Sequence, residues 1–410
     1  MDIQLNAKQL KSNQNIVVSG SKSESNRILL LQALYPYLRI NNLSNSDDSE
    51  FMQKALNASS EIKDIHHAGT AMRFLTAFYA TTPNQNVIMQ GSTRMHERPI
   101  AVLVDALKQL GASITYLQND GYPPLKISGQ KITANKIQIQ ANVSSQYISA
   151  LLLVAPKLEN GLELELLGNI TSIPYIKMTL QILTDLGIEN HFYDNKIIVK
   201  PCDKIINQEF TVESDWSSAS YFYSIVAMQT IGFQISLSAY KATSLQGDSV
   251  LQNIYKNFGV TTTFTNNSIT LTKVSEPLQS FIEIDLKDAP DIAQTIAVTC
   301  LGLGIGCHLT GLHTLKIKET DRLLALENEI SKFGAIITTT ENALNIEAYD
   351  ISRFELNAEV VIKTYQDHRM AMAFAPLACK QNIKILEAEV VSKSYVDFWD
   401  HMQTIGFQII

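Results

Sequence analysis

Five stretches of this chain close in the same way: a helical pattern runs to a bulky apolar residue, then Gly, then a strand-like segment. They are Ala106-Leu-Lys-Gln-Leu-Gly111-Ala, Ile182-Leu-Thr-Asp-Leu-Gly187-Ile, Ile254-Tyr-Lys-Asn-Phe-Gly259-Val, Glu329-Ile-Ser-Lys-Phe-Gly334-Ala and Met402-Gln-Thr-Ile-Gly406-Phe. The glycines are 76, 72, 75 and 72 residues apart. Glycine at such a place ends a helix in the left-handed conformation with no Cβ clash. Behind three of them lie short runs split by a turn: Ser113–Leu117 with Leu125–Ser128, Thr261–Thr265 with Ser268–Lys273, and Ile336–Thr339 with Ala343–Glu347. A long period closed by the same punctuation each time predicts a repeat architecture.

A second element recurs. A small polar cap precedes an Ala-rich apolar helix at Ser23 to Leu34, Gly69 to Tyr79, Ser144 to Val154, Asp215 to Met228, Asp291 to Leu303 and Asp367 to Leu377. Three lie before about residue 212 and three after, so the chain reads as six copies of a βαβαββ-like α/β unit. The helices are apolar on nearly every face and are expected to be buried, with the strands outside. Their capped N-termini then gather at one end of each half, where anions bind. The run Gly302-Leu-Gly304-Ile-Gly306 follows a helix, so it reads as a turn and not as a dinucleotide fingerprint.

At 410 residues the chain is too long for one ordinary core, which agrees with two halves of about 200 residues. The start, Met-Asp-Ile-Gln-Leu-Asn, carries no signal-peptide pattern, and the most apolar run, Ile296 to Ile305, is too short to span a membrane. The four cysteines show no C-x-x-C spacing and read as reduced thiols of a cytoplasmic protein. A net charge of −7 argues against a general nucleic-acid binder. The arginines are sparing and placed. Only eight occur, none lies between Arg98 and Arg322, and Arg27, Arg73, Arg94, Arg98, Arg322 and Arg369 sit in short polar motifs. That usage points to forked recognition of phosphate or carboxylate on a small anionic substrate.

The first such motif is Ser-Gly-Ser-Lys-Ser-Glu-Ser-Asn-Arg over Ser19–Arg27, after the apolar run Ile16 to Val18 and before a helix expected over Ile28–Tyr35. Strand, small polar residues and helix N-terminus make an anion cradle, to which Lys22 and Arg27 add full charges. No Gly stands in the Walker A frame, so nothing argues for ATP. The others are His67-Ala-Gly-Thr-Ala-Met-Arg73, Thr93-Arg-Met-His-Glu-Arg98-Pro-Ile, Asn142-Val-Ser144-Ser145-Gln146-Tyr147, Lys318-Glu319-Thr-Asp-Arg322 and Asp367-His368-Arg369-Met-Ala-Met. His66 and His67 read as neighbours on opposite faces of a strand, unsuited to sharing a metal.

Six motifs in this order, from Gly20 to Phe398, resemble the enolpyruvyl transferases, and within them the branch acting on shikimate 3-phosphate. The resemblance implies a two-lobed fold, each lobe three βαβαββ units about a pseudo-threefold axis. It implies lobes of 15–212 and of 1–14 with 213–410, and an active site in the cleft between them. It also implies the reaction: the enolpyruvyl group of phosphoenolpyruvate passes to the 5-hydroxyl of shikimate 3-phosphate and phosphate leaves, through a tetrahedral intermediate. Carried over motif by motif, Lys22, Ser23, Arg27, Ser144, Ser145, Gln146, Ser172, Tyr175, Asp291 and Lys318 are expected on shikimate 3-phosphate. Lys22, Gly69, Arg98, Gln146, Arg322, Arg369 and Lys393 are expected on phosphoenolpyruvate. Asp291 suits the base, and Glu319 with Lys22 suits proton delivery to the methylene carbon. No cofactor, metal, nucleic acid or membrane is called for, and a monomer is expected.

Departures from the family pattern are Ser19 for Pro, His67 for Asn or Asp, Phe74 for Pro after Arg73, Ile173 for Lys, and Thr314-Leu315 for Asn-Trp. The related transferase acting on UDP-N-acetylglucosamine fits less well, since Lys22 is followed by Ser23 instead of Asn and no Cys lies between Gly91 and Pro99. A non-catalytic phosphometabolite binder would need the cations but not Asp291 and Glu319. With cationic motifs in both halves, two positive faces are expected to repel until an anion closes them.

Overall fold

The structure, a computed structural model, describes all residues except 8, 142–143, 169, 171–172 and 355–357. The chain divides into one unit of Gly20–Val212 and another of Met1–Ser19 with Glu213–Ile410.

Among the described residues one sheet pattern recurs five times: a parallel pair followed by two antiparallel steps. In the Gly20–Val212 unit, Ile62–Asp64 lies parallel to Asn86–Gln90, which pairs antiparallel with Leu125–Ser128 and that in turn with Ser113–Tyr116. Lys136–Gln140, Leu162–Leu167, Lys196–Val199 and Asn190–Tyr193 repeat it. In the other unit it recurs with Gln14–Ile16, Gln234–Ser238, Ser268–Lys273 and Val260–Thr265. It is seen again with Phe281–Asp285, Gly306–Thr310, Leu344–Ile346 and Ile337–Thr339. In the last sheet, Glu359–Ile362, Asn382–Ile385, Ile3–Asn6 and Gln408–Ile409, the N-terminal strand closes the final repeat. The first repeat is reduced: among the described residues Arg39–Asn41 pairs only with Glu209–Thr211, and helix Asp47–Asn57 runs straight on to the next sheet.

The two chain crossovers exchange strands. Gln14–Ile16 precedes helix Lys22–Leu34 but pairs beside Gln234–Ser238, whereas Glu209–Thr211 precedes helix Trp216–Ala227 but pairs beside Arg39–Asn41. Residues 15–19 therefore belong with the Glu213–Ile410 segment, and the first division falls at 19/20, five residues later than the sequence-based boundary.

Helices Gly69–Thr81, Ser145–Val154, Ala293–Leu303 and His368–Phe374 connect parallel strand pairs, whereas Lys22–Leu34 and Trp216–Ala227 follow the exchanged strands. Helix Trp216–Ala227 is buried along its whole length, and Ala293–Leu303 is buried from Ala293 to Gly302. Helix Gly69–Thr81 packs on Ser145–Val154, and Ala293–Leu303 packs on Trp216–Ala227 and His368–Phe374. Gly111, Gly187, Gly259, Gly334 and Gly406 all have positive φ, from 75° to 110°, as helix-ending glycines require. Gly304 ends its helix in the same way (φ 73°), so the Gly302–Gly306 run turns at Gly304 and Ile305, between the end of that helix and strand Gly306–Thr310. All four cysteines are free, with Cys300 and Cys307 buried and Cys202 and Cys379 half-buried. Among the described residues, no helix is long and apolar enough to cross a membrane.

Candidate active site

The Gly20–Val212 unit carries one group of the expected residues. The first helix begins at Lys22, six residues before the expected start, because Ser, Glu, Ser and Asn are accommodated in its opening turn. Ser25 N bonds back to Ser21 O at 2.8 Å and closes the first turn of the helix. Lys22 Nζ lies 3.5 Å from Asp48 Oδ2. Arg27 is buried and clamps its surroundings: Nε donates to Thr179 Oγ1 (2.8 Å), Nη1 to Ser23 O (2.7 Å) and Nη2 to Ser149 Oγ (3.0 Å). Its guanidinium also faces the rings of Phe74 and Tyr175 at 5.4 and 5.9 Å. Burial lowers Arg27 to about 10, which leaves it charged at neutral pH.

Helix Gly69–Thr81 opens against Arg98. Buried Arg73 donates to Gly69 O (3.1 Å) and Pro99 O (3.0 Å), and Tyr147 Oη donates to the same Pro99 carbonyl at 2.6 Å. Burial, helped by Arg98, lowers Arg73 to about 10. Gln146 Nε2 reaches Thr70 Oγ1 at 3.3 Å, while Ser144 caps its helix by accepting from Gln146 N. Gly69, Arg98 and Gln146 are thus gathered around one helix start. The Arg98 motif itself folds as a one-turn helix, Thr93–His96, capped by Ser92. Ser145 is buried and Tyr175 half-buried, while Ser172 lies outside the described residues. His66 and His67 are not in a strand: with φ 47° at His66 the chain turns, and their Nδ1 atoms meet at 2.8 Å instead of facing apart. Among the described residues no group of His, Cys, Asp and Glu is disposed to hold a metal ion.

The other unit holds a denser group. Arg322 opens helix Arg322–Ser331, whose cap Asp321 accepts from Leu323 N and Leu324 N. Its fork meets three carboxylates: Nε to Asp367 Oδ2 at 2.6 Å, Nη2 to Glu319 Oε2 at 2.9 Å and Nη1 to Asp291 Oδ1 at 3.0 Å. Lys318 Nζ stands 3.4 Å from Asp291 Oδ1, and Arg369 Nη2 stands 3.3 Å from Asp291 Oδ2. Asp291 sits in the 3-10 turn Pro290–Ile292 before its helix and is 16% exposed, so a ligand can reach it. Asp367 is fully buried, caps its helix by accepting from Arg369 N at 2.8 Å, and so ties both arginines together. Burial works against the Arg322 charge, but Asp367, Glu319 and Asp291 together hold its pKa above the ordinary value. Lys393 Nζ donates to Gln366 O at 2.7 Å, one residue before that cap.

Lys318, Arg322 and Arg369 face Asp291, Glu319 and Asp367, so this face is charge-balanced and not the bare positive surface expected. Its cations are preorganised by carboxylates, which lets them turn to an anion without first being desolvated from bulk water.

The EPSP synthase (3-phosphoshikimate 1-carboxyvinyltransferase) family model matches residues 53–402. This chain belongs to the EPSP synthase family. It is 46% identical to 3-phosphoshikimate 1-carboxyvinyltransferase of Bacteroides fragilis, over 96% of this chain and 95% of that protein. It is 35% identical to the Haemophilus influenzae protein of the same name, over 95% and 96%. In fold it matches an EPSP synthase from Acinetobacter baumannii with a TM-score of 0.81 at 21% identity, covering 100% of this chain and 99% of the other. The family's reaction moves the enolpyruvyl group of phosphoenolpyruvate to shikimate 3-phosphate.

Sequence reasoning about this EPSP synthase fold missed the partners of the cations. Asp48 against Lys22, Asp367 against Arg322, and the pair Ser217 and Asp248 beside Arg369 were not singled out. Only Asp367 carried a signal, being the first residue of the Asp-His-Arg motif.

Proposed function

We propose that this chain transfers the enolpyruvyl group of phosphoenolpyruvate to the 5-hydroxyl of shikimate 3-phosphate. The observation that supports it most is Asp291 held by Lys318, Arg322 and Arg369, with Glu319 on the same arginine. A carboxylate fixed among cations is placed to take a proton from a hydroxyl while those cations hold an anionic reactant beside it.

In the addition step the 5-hydroxyl gives its proton to Asp291, its oxygen bonds to C2 of phosphoenolpyruvate, and the methylene carbon C3 gains a proton from Glu319 or Lys22. In the elimination step C3 loses a proton, the C2–O bond to phosphate breaks and phosphate departs. Arg98, Arg322, Arg369 and Lys393, with Lys22, Gln146 and the backbone at Gly69, hold phosphoenolpyruvate. Lys22, Ser23, Arg27, Ser144, Ser145, Gln146, Ser172, Tyr175, Asp291 and Lys318 hold shikimate 3-phosphate. Fixed side-chain charges do the electrostatic work, so the reaction calls for no metal or cofactor, and the enzyme acts as a cytoplasmic monomer.

The test is phosphate release from phosphoenolpyruvate with each acceptor in turn, with and without chelator. Release with shikimate 3-phosphate alone, unaffected by chelator, is expected. Release with UDP-N-acetylglucosamine instead, or loss of turnover in chelator, overturns the reading.

A further inference from the structure

We propose that Ser217 and Asp248 are positioning residues for the reaction, which act by fixing the guanidinium of Arg369 at the same Nη2 that faces Asp291. The inference rests on the reading of Arg369 as a phosphoenolpyruvate ligand.

Ser217 is the second residue of helix Trp216–Ala227, and Asp248 lies in the 3-10 turn Gly247–Val250. Both are buried. Arg369 Nη2 donates to Ser217 Oγ at 3.3 Å, and Ser217 Oγ donates in turn to Asp248 Oδ2. The direction of this relay is fixed by chemistry. Arginine has donors only, so Ser217 must accept from it, and the hydroxyl proton then needs an acceptor of its own. The Asp248 carboxylate provides that acceptor.

The turn bearing Asp248 is itself anchored. Gln246, two residues earlier, accepts from Trp216 N (3.0 Å) and donates to Ser214 O (3.0 Å), so the turn is tied to the start of the Ser217 helix. The same Nη2 that donates to Ser217 also lies 3.3 Å from Asp291 Oδ2. Asp291 is the group that must turn to the substrate hydroxyl, so its hold on Arg369 changes during turnover. The hold through Ser217 involves no reacting atom and persists. Arg369 is thereby kept in place when its other partner is occupied, which is what preorganised charge stabilisation requires. Burial, reinforced by Asp291 and Asp215 and opposed by Arg369 and Ser217, pushes the Asp248 carboxyl up to about 7. Arg369 and Ser217 favour its charge, and with or without its proton the carboxyl keeps an oxygen that accepts from Ser217.

The test is steady-state kinetics of the full chain with each substrate varied separately, for Asp248→Asn, Ser217→Ala, the double variant and Arg369→Gln. Each of the first two is expected to raise KM for phosphoenolpyruvate roughly tenfold, as loss of one charge-assisted hydrogen bond does, and to leave KM for shikimate 3-phosphate within about twofold. Because both act through one relay, the double variant should lose no more than the worse single one. Parent-like phosphoenolpyruvate KM in Ser217→Ala, equal weakening of both substrates, or additive losses would overturn the inference. If Asp248→Asn does not fold, Ser217→Ala alone decides the comparison. A strong effect of Arg369→Gln beside a parent-like Ser217→Ala defeats only this inference. No effect of Arg369→Gln defeats the assignment of Arg369 beneath it.

Discussion

The first carbon of any side chain at Gly69 would lie 2.5 Å from Nη1 of Arg98 and 2.9 Å from its Cζ. Glycine is required there because a guanidinium, not a packed wall, occupies the space. The far end of a flexible side chain can shift, so Gly69→Ala should fold with a melting temperature near that of the parent. The cost falls on the ligand: a displaced Arg98 is expected to raise KM for phosphoenolpyruvate roughly tenfold to a hundredfold, the range of a charge-assisted hydrogen bond. The shikimate 3-phosphate KM should stay within about threefold. A variant with unchanged phosphoenolpyruvate KM would remove Arg98 from that substrate.

Asp291→Asn separates proton transfer from binding. The amide keeps one acceptor toward Lys318, Arg322 or Arg369, so shikimate 3-phosphate affinity, measured by calorimetry, should survive within about tenfold. Turnover should fall by roughly two to four orders of magnitude, the span of a positioned general base. Near-normal kcat would mean that another group takes the proton.

What the sequence made legible was local. Helix-ending glycines, the caps Ser144, Asp215 and Asp367, and the hairpins behind three of the glycines depend on residues a few positions apart, and the structure places them as read, whereas the caps at the other three helices fall at Ser21, Ala68 and Ile292 instead of Ser23, Gly69 and Asp291. That the chain crosses twice, near residues 14 and 212, came from the resemblance; which sheets Gln14–Ile16 and Glu209–Thr211 join was not legible, because each strand takes a partner more than 160 residues away. The site shows the same divide. The cations announced themselves through short motifs, whereas Asp48 and Asp248, whose flanking residues resemble any polar turn or helix start, are recognised only once the fold brings them to Lys22 and Arg369.

Asp248 should make stability depend on pH in an uncommon direction. Its folded pKa, about 7, lies above the ordinary aspartate value of 3.8. Between these values the folded chain binds more protons than the unfolded one, so this group's contribution falls as pH rises through that window, by about 1.4 kcal/mol per pH unit at most. Asp248→Asn mimics the protonated form and removes the slope. Relative to the parent, the variant should therefore be more stable at pH 8 than at pH 5, as read by denaturant melts of the ligand-free proteins. An unchanged difference between the two pH values would show that Asp248 titrates normally.

Arg322→Lys tests whether shape, and not charge alone, matters at the centre of the balanced group. The arginine fork bonds Asp367 through Nε and Nη2 while Nη1 and Nη2 also serve Asp291 and Glu319. One ammonium keeps the charge but cannot span three carboxylates, and Asp367 is fully buried. At least one charged hydrogen bond is lost inside the protein, which should cost about 1.5–3 kcal/mol of stability and lower the melting temperature by several degrees. The kinetic effect should be one-sided. Phosphoenolpyruvate needs the fork, so its KM should rise tenfold or more, whereas shikimate 3-phosphate keeps Lys318 and the contacts of the Gly20–Val212 unit and should bind within about threefold. Measuring both constants on the folded variant distinguishes loss of the fork from general loosening. Equal weakening of the two substrates would mean that Arg322 only holds the carboxylates together and does not itself meet phosphoenolpyruvate.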